Sequence, residues 1–240
     1  TEMSHQDTQR SHVQLVWFKR DLRVHDHAPL TEAARRGPLL CLYVYEPSMW
    51  QAADFDPAHL RFINQSLAEL QVSLSRRGGQ LLLRVGEVPE VLEALYKEVP
   101  FVALWSHQET GNMISYRRDQ RVRAWTRERG VAWHEPTQNG VVRRLPHRDG
   151  WAAIWQQRVN EAILPAPERL HCVPGLRAEG IRDHRALDMA ASTRHEAAAG
   201  GERLAHNTLG SFLNARGVNY RSDMSSPVEG WRGCSRLSPY

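Results

Sequence analysis

The chain has 240 residues, of which 41% are hydrophobic and 24% charged, and its formal net charge is +4. This is the balance of a soluble globular protein large enough to close a core without covalent staples, and it excludes fibrous and low-complexity classes. No apolar run approaches the roughly 18 residues of a membrane span, so no membrane partner is expected.

Residues 1–12 are polar and lack the apolar stretch of a signal peptide, so they read as a disordered leader. The first residue is Thr, which points to a processed or incomplete start. From residue 13 onward, short apolar runs alternate with amphipathic ones. His12 to Phe18, Leu39 to Tyr45, Gln80 to Val85, Phe101 to Trp105 and the shorter Val131 to His134 have the continuous pattern of strands covered on both faces.

Helices fill the intervals. The first is expected over Pro29 to Arg36, with Asp26 or His27 near its start and Gly37-Pro38 closing it. Leu60, Ile63, Leu67, Leu70 and Leu74 form one apolar stripe that must pack on something, and Gly78-Gly79 stops that helix. Val88, Val91, Leu92, Leu95 and Val99 repeat the pattern, and a more polar helix from about Ile114 to Arg129 ends at Gly130. Alternation with short links implies βαβ units. The expected fold class is therefore α/β, a doubly wound, Rossmann-like five-stranded parallel sheet over 13–140.

Such a sheet takes ligands at the carboxyl ends of its strands. The candidate loops are Lys19–His27, Glu46–Phe55, Gly86–Glu87 and Ser106–Asn112. None contains G-x-G-x-x-G or a Walker loop, so a standard dinucleotide or ATP site is not supported, and Gly86 reads as a strand-to-helix turn. Between Arg117 and Arg148 nine arginines stand against three acids, Asp119, Glu128 and Glu135. A basic stretch can attract phosphate, but without aromatic interleaving it reads as a solvated helix face.

After Gly140 the texture changes. Trp151 to Trp155 suggests a short helix within a connector spanning 141–200. Its Leu164-to-Gly201 part, about 35 residues without a strong period, is too long for a loop inside one compact domain. Gly200-Gly201-Glu202 then opens a helix with Leu204, Leu209, Phe212 and Leu213 on one side, closed by Gly217, and fewer than 25 residues follow. Residues 201–240 are expected to be the start of an incomplete all-α domain.

The cysteines, Cys41, Cys172 and Cys234, form no C-x-x-C pair, and the twelve histidines form no H-E-x-x-H or Cys/His cluster. No disulfide scaffold and no metal site are expected, and a reducing cytoplasm is the default location.

Particular words of the sequence go further than its periodicity. Leu15-Val16-Trp17-Phe18-Lys19-Arg20-Asp21-Leu22-Arg23-Val24-His25-Asp26-His27-Ala28-Pro29-Leu30 resembles the first strand and loop of the photolyase/cryptochrome family, which typically reads V-W-F-R-R-D-L-R-x-x-D-N-x-A-L. Tyr43-Val44-Tyr45-Glu46-Pro47 and the run Leu83 to Leu92 resemble the next two strand–loop units of its antenna-type domain. Gly201 through Leu213, Tyr220, and Cys234-Ser235-Arg236-Leu237-Ser238-Pro239-Tyr240 are similar to the start of its flavin domain, whose word is [TC]-S-x-L-S-P-Y.

The resemblance implies a flavoprotein that repairs pyrimidine dimers in damaged DNA by light-driven electron transfer from reduced FAD. It implies that Tyr220, Cys234, Ser235, Arg236, Leu237 and Ser238 form part of the FAD contact, with the serine hydroxyls on its diphosphate. That chemistry is reasonable, because small hydroxyl residues let backbone N–H groups approach phosphate closely. An antenna chromophore would fall to Arg20, Asp21, Arg23 and Glu109, and DNA to Arg221, the one basic residue in Tyr220-Arg221-Ser222-Asp223-Met224. The family's folate motif has no counterpart around Met113-Ile114-Ser115, which leaves a flavin antenna, a deazaflavin antenna or none. The catalytic region and the tryptophan electron chain follow Tyr240 in the family. No catalytic residue is therefore assigned, the eight tryptophans are assigned to packing, and this chain alone is expected to be an inactive monomer. A cryptochrome photoreceptor and a stand-alone chromophore-binding module are the alternatives.

Overall fold

Five strands, β1 (Gln14–Phe18), β2 (Leu39–Tyr45), β3 (Leu81–Val85), β4 (Ala103–Trp105) and β5 (Ala132–His134), form one sheet in the order β3-β2-β1-β4-β5. All four pairings are parallel, with Val16 opposite both Cys41 and Trp105. These are coordinates of a computed structural model that describes residues 12–53, 55–143, 145 and 147–240. The expected leader, His12 apart, lies outside them.

The chain folds as two compact units, one of residues up to Phe55 with 71–180, the other of Asp56–Leu70 with Ile181–Tyr240. In the first unit α1 (Ala28–Ala34) links β1 to β2, α4 (Val88–Glu98) precedes β4, and α5 (Met113–Arg129) precedes β5. Between β2 and β3 come a short α2 (Pro47–Trp50) and α3 (Pro57–Ser75), and α6 (Trp151–Val159) follows the sheet. Side-chain alternation along β1 sends Leu15 and Trp17 to one face. There they join Leu40, Leu42, Val44, Val88, Val91, Leu92, Leu95, Val122 and Trp125 in one buried cluster. Helices α4 and α5 thus cover that face. Leu30 and Ala33 of α1 are buried, and α1 contacts β1 and β4.

Local chemistry sets the ends of these helices. His27 caps α1 by accepting the Leu30 N–H at Nδ1, 3.1 Å away. Asn112 caps α5 through the Ser115 N–H, and Gly130, at φ +67°, ends it in the left-handed conformation that glycine adopts without steric cost. Gly86 is the expected turn, its φ of +148° followed directly by α4.

Three expectations need correction. The edge strand β5 is exposed at both ends and half-buried between, because it has no neighbour beyond it. Trp151, Trp155 and Trp231 are exposed, so packing accounts for Trp17, Trp105 and Trp125 but not for these three. The Arg-rich helix is not wholly a solvated face: Arg118 is buried, while Arg121, Arg123 and Arg129 pair with Glu90, Glu135 and Glu93.

The segment after α6 lacks helix and strand but is laced to the first unit. Asp26 N donates to Leu164 O at 2.8 Å, Arg77 Nε to Pro167 O at 3.0 Å and Leu170 N to Arg77 O at 2.8 Å. In the second unit α7 (Glu202–Ser211) leads through a π-helical turn (Phe212–Arg216) into two short helices, α8 (Tyr220–Asp223) and α9 (Pro227–Gly233). More helix follows Gly217 than the sequence suggested. Gly200 lies so close to Phe62 that a Cβ there would stand 2.1 Å from the Phe62 carbonyl oxygen, which only glycine avoids.

Within the stripe on α3, Leu60, Leu67, Leu70 and Leu74 are buried, and Leu67 has no exposed surface. Leu67→Ala is expected to cost about 2–5 kcal/mol in chemical denaturation, the range for a core leucine. A change below about 0.5 kcal/mol would contradict this reading of the stripe.

Candidate functional site

The strand order reverses at β1. The chain leaves it toward β2 on one side and returns to β4 on the other, which makes the carboxyl ends of β1 and β4 the switch point where open α/β sheets bind ligands. Buried charge gathers there. Lys19 follows Trp17 by two residues and so projects to the α5 side, where its Nζ lies 4.2 Å from the centre of the Trp17 ring. The same ammonium lies 3.6 Å from Asp119 Oδ2 and 3.9 Å from Glu109 Oε2.

Arg118 occupies the centre of the cluster. Its guanidinium lies 4.7 Å from the Trp17 ring centre and donates to Glu46 Oε1 at 2.9 Å, to Asp119 Oδ1 at 2.9 Å and to Glu109. Those carboxylates come from the end of β2, from α5 itself and from the loop after β4. Arg20 reaches Glu109 at 3.6 Å from an exposed position, and Arg143 stands 3.8 Å from Asp119.

Two cations and three carboxylates in a site this buried cannot all be comfortably ionised. Burial pushes the Glu46 carboxyl up to about 7 against the pull of Arg118, with Glu109 and Glu87 adding repulsion. Arg118 itself is held charged: burial opposes its ionisation, but Glu46, Glu109 and Asp119 outweigh burial. The two directions agree once Arg118 is seen to be shared, because Glu46 receives only a part of its attraction. Burial lowers Lys19 despite Asp119. Among the described residues, Lys19 Nζ and Glu46 Oε2 are both buried without a hydrogen-bond partner, which leaves polar capacity for a ligand atom or water.

A second buried group lies beneath the same loop. Asp21 Oδ2 meets His107 Nδ1 at 2.5 Å and His27 Nε2 at 2.9 Å, the latter off the N–H axis, while Asp21 Oδ1 accepts the Lys19 N–H at 2.7 Å. Burial alone would raise the Asp21 carboxyl, but the two histidines hold it well below the usual carboxylate range. These three side chains offer ligand atoms within 4.8 Å of one another, a spacing that would admit a metal ion. The tautomer of His27 opposes it. Nδ1 accepts the Leu30 N–H and carries no proton, so the neutral ring carries its proton on Nε2, the atom that would have to bind the metal.

The four expected antenna residues therefore separate. Arg20 and Glu109 belong to the charged cluster. Asp21 turns down to the histidines, and Arg23 braces its own loop through the carbonyls of His25 and Asp26. Lys19, Glu46, Arg118 and Asp119 were missed as site residues. Lys19 and Glu46 stood within the quoted strand-end words, whereas Arg118 and Asp119 were hidden in a helix read as solvated.

In the second unit the expected flavin-contacting strip is held by Arg216, which donates to the carbonyl oxygens of Cys234 and, at 3.2 Å, Ser235. Arg236 takes a left-handed φ of +57°, and Leu237 N donates to Ser235 Oγ at 3.4 Å. Tyr220 is exposed, with its ring edge-on to Phe212, and Arg221 is exposed. Two serine hydroxyls and the Arg236 cation, with no carboxylate in the strip, are a donor set that suits a diphosphate.

Burial keeps the His27 imidazole below its ordinary value despite the Asp21 attraction. The unfolded chain therefore takes up a proton near pH 6.5 that the folded chain refuses, and stability falls as pH drops through that window. Depressed Asp21 adds a loss of the same sign, but only below about pH 4. His27→Asn keeps a capping side chain and removes the titration. Urea denaturation at pH 7 and pH 5 is expected to show a shallower fall for the variant, the difference not exceeding about 1.4 kcal/mol per pH unit. Equal slopes would contradict this.

The DNA photolyase family profile matches residues 14–146, the whole of the sheet. A cryptochrome DASH from Gloeobacter violaceus is 40% identical over 101 residues, 40% of this chain and 20% of that protein. A deoxyribodipyrimidine photo-lyase from Thermus thermophilus is 30% identical over 233 residues, 94% of this chain and 50% of its own. The crystal structure of a class III photolyase from Agrobacterium tumefaciens superposes with a TM-score of 0.78 at 21% identity, covering 95% of this chain and 50% of that one. The chain thus spans about half the length of the photo-lyases and structures that match it throughout. Strand order, switch point and the extent of the profile match agree, and the chain belongs to the DNA photolyase family.

Proposed function

We propose that this chain is the amino-terminal portion of a light-driven flavoprotein whose complete form repairs pyrimidine dimers in DNA. The observation that carries the reading is the 30% identity to a deoxyribodipyrimidine photo-lyase across 94% of the chain, which runs past the sheet into the second unit. Bound FAD, in its reduced form, would supply the photoexcited electron. The part assigned to this chain is narrower. Ser235, Ser238 and the backbone of Cys234–Ser238 would hold the diphosphate side of FAD, with Arg216 fixing the strip by its carbonyls, and Tyr220 and Leu237 would contact the cofactor. Arg221 is assigned to the DNA backbone.

The antenna role belongs to the switch point. A chromophore seated over the carboxyl ends of β1 and β4 would meet the Lys19–His27 and Ser106–Asn112 loops. The unpartnered atoms of Lys19 and Glu46 favour a ligand with both acceptor and donor groups there. We assign the domains as 13–140 for the antenna type, 141–200 for the connector and 201–240 for the start of the flavin domain. We assign the chain as a monomer in a reducing cytoplasm, and among the described residues no helix is long and apolar enough to cross a membrane.

A second reading, a cryptochrome photoreceptor, is favoured by the 40% identity to cryptochrome DASH. The test that separates them uses the full reading frame. Purified protein is reduced, mixed with an oligonucleotide carrying one cyclobutane pyrimidine dimer, and assayed in light and in darkness. Light-dependent dimer loss is expected. Bound flavin that photoreduces without dimer loss would favour the photoreceptor.

A further inference from the structure

We propose that Cys41 and Cys172 are an oxidisable dithiol pair, a modification site at which a peroxide closes a disulfide between β2 and the segment after α6. Strand β2 begins before its neighbour: β3 pairs with it only from Cys41 onward, opposite Leu81. The vacant place beside Leu39 is taken by His171–Val173. Leu39 N donates to His171 O at 2.8 Å, Val173 N donates to Leu39 O at 3.0 Å, and Leu39 and Cys172 form a parallel bridge. Bridged partners in a parallel pair project to the same face, and so do residues two apart on one strand. Cys172 is therefore the diagonal neighbour of Cys41. Gln80, next to the Leu81 that pairs with Cys41, donates its N–H to the Cys172 sulfur at 3.4 Å, which sets that sulfur on the Cys41 side of the bridge.

The two sulfurs differ in a way that suits stepwise oxidation. Cys172 is partly exposed, whereas Cys41 has no exposed surface. Hydrogen bonding from Cys41 and from the Gln80 N–H, 3.4 Å from the Cys172 sulfur, brings that thiol down to about 7 although burial opposes it. The same hydrogen bond, together with burial, pushes Cys41 up. A thiolate is the attacking species and peroxide must reach it, so the partly exposed Cys172 reacts first and the buried Cys41 second.

Its sulfur attacks one oxygen of hydrogen peroxide, the O–O bond breaks, and after proton uptake a sulfenic acid and one water result. The Cys41 sulfur then attacks Cys172 Sγ, the S–O bond breaks, and the Cys41 proton leaves with the hydroxide as a second water. In total two thiols and one peroxide give one disulfide and two waters. The backbone on both sides of Cys172 is bonded to Leu39, so the short approach that disulfide geometry requires falls to rotation of the two side chains and small shifts of the segment.

The test treats the intact protein with hydrogen peroxide, denatures it, alkylates it with N-ethylmaleimide and measures its mass. One alkylation, at Cys234, is expected in place of three, with a Cys41–Cys172 cross-linked peptide in a non-reducing digest. Dithiothreitol should restore all three alkylations. Cys172→Ser, a change at a partly exposed position, should yield no cross-link. Three alkylations after peroxide would overturn the proposal. So would oxidation of Cys172 to the sulfinic acid without a cross-link, or a bridge that joins Cys234.

Discussion

One guanidinium holds the carboxyl edge of the sheet together. Arg118 lies against the Trp17 ring and donates to carboxylates from the end of β2, the loop after β4 and α5. Each of those elements arrives by a separate crossover, and hydrophobic packing of the faces does not by itself set where their ends stand. A shared cation does, because the carboxylates have left water and, among the described residues, Lys19 is the other buried cation near them. Burying such a group is costly in itself, and replacing the whole cluster by apolar residues could be neutral. Its value lies in position: the loops of the switch point are pinned to one another and to β1.

The two buried clusters beneath the Lys19–His27 loop divide the work. Asp21 with His27 and His107 fixes the loop from below and joins it to the cap of α1 and the residue after Ser106. Lys19, Glu46 and Glu109 face the Arg118 side, and among the described residues Lys19 Nζ and Glu46 Oε2 have no hydrogen-bond partner.

Sheet class, strand order of appearance and most of the core were legible because continuous apolar runs and 3.6-residue stripes report burial directly. Leu67, Leu92 and Trp17 are examples. The expectation that Ser235 and Ser238 contact FAD rests only on resemblance to a family word, since in isolation they look like an ordinary helix cap. Arg118 was not legible. Its neighbours Arg117, Arg121 and Arg123 are exposed, and a single inward-facing cation on a polar helix leaves no periodic trace. Nor was the pairing of Cys172 with β2, because the segment that carries it has no period and its contact lies about 130 residues away in sequence, beyond the reach of local patterns.

The claim that Arg118 organises the carboxyl edge is tested most directly by urea denaturation of Arg118→Met. The side chain keeps its apolar stem and loses its charge, leaving Glu46, Glu109 and Asp119 with Lys19 and the more exposed Arg20 and Arg143. A loss of about 3–5 kcal/mol is predicted, the usual consequence of orphaning buried charge. A change within about 0.5 kcal/mol of the native protein would contradict the account and return Arg118 to the ordinary surface of its helix.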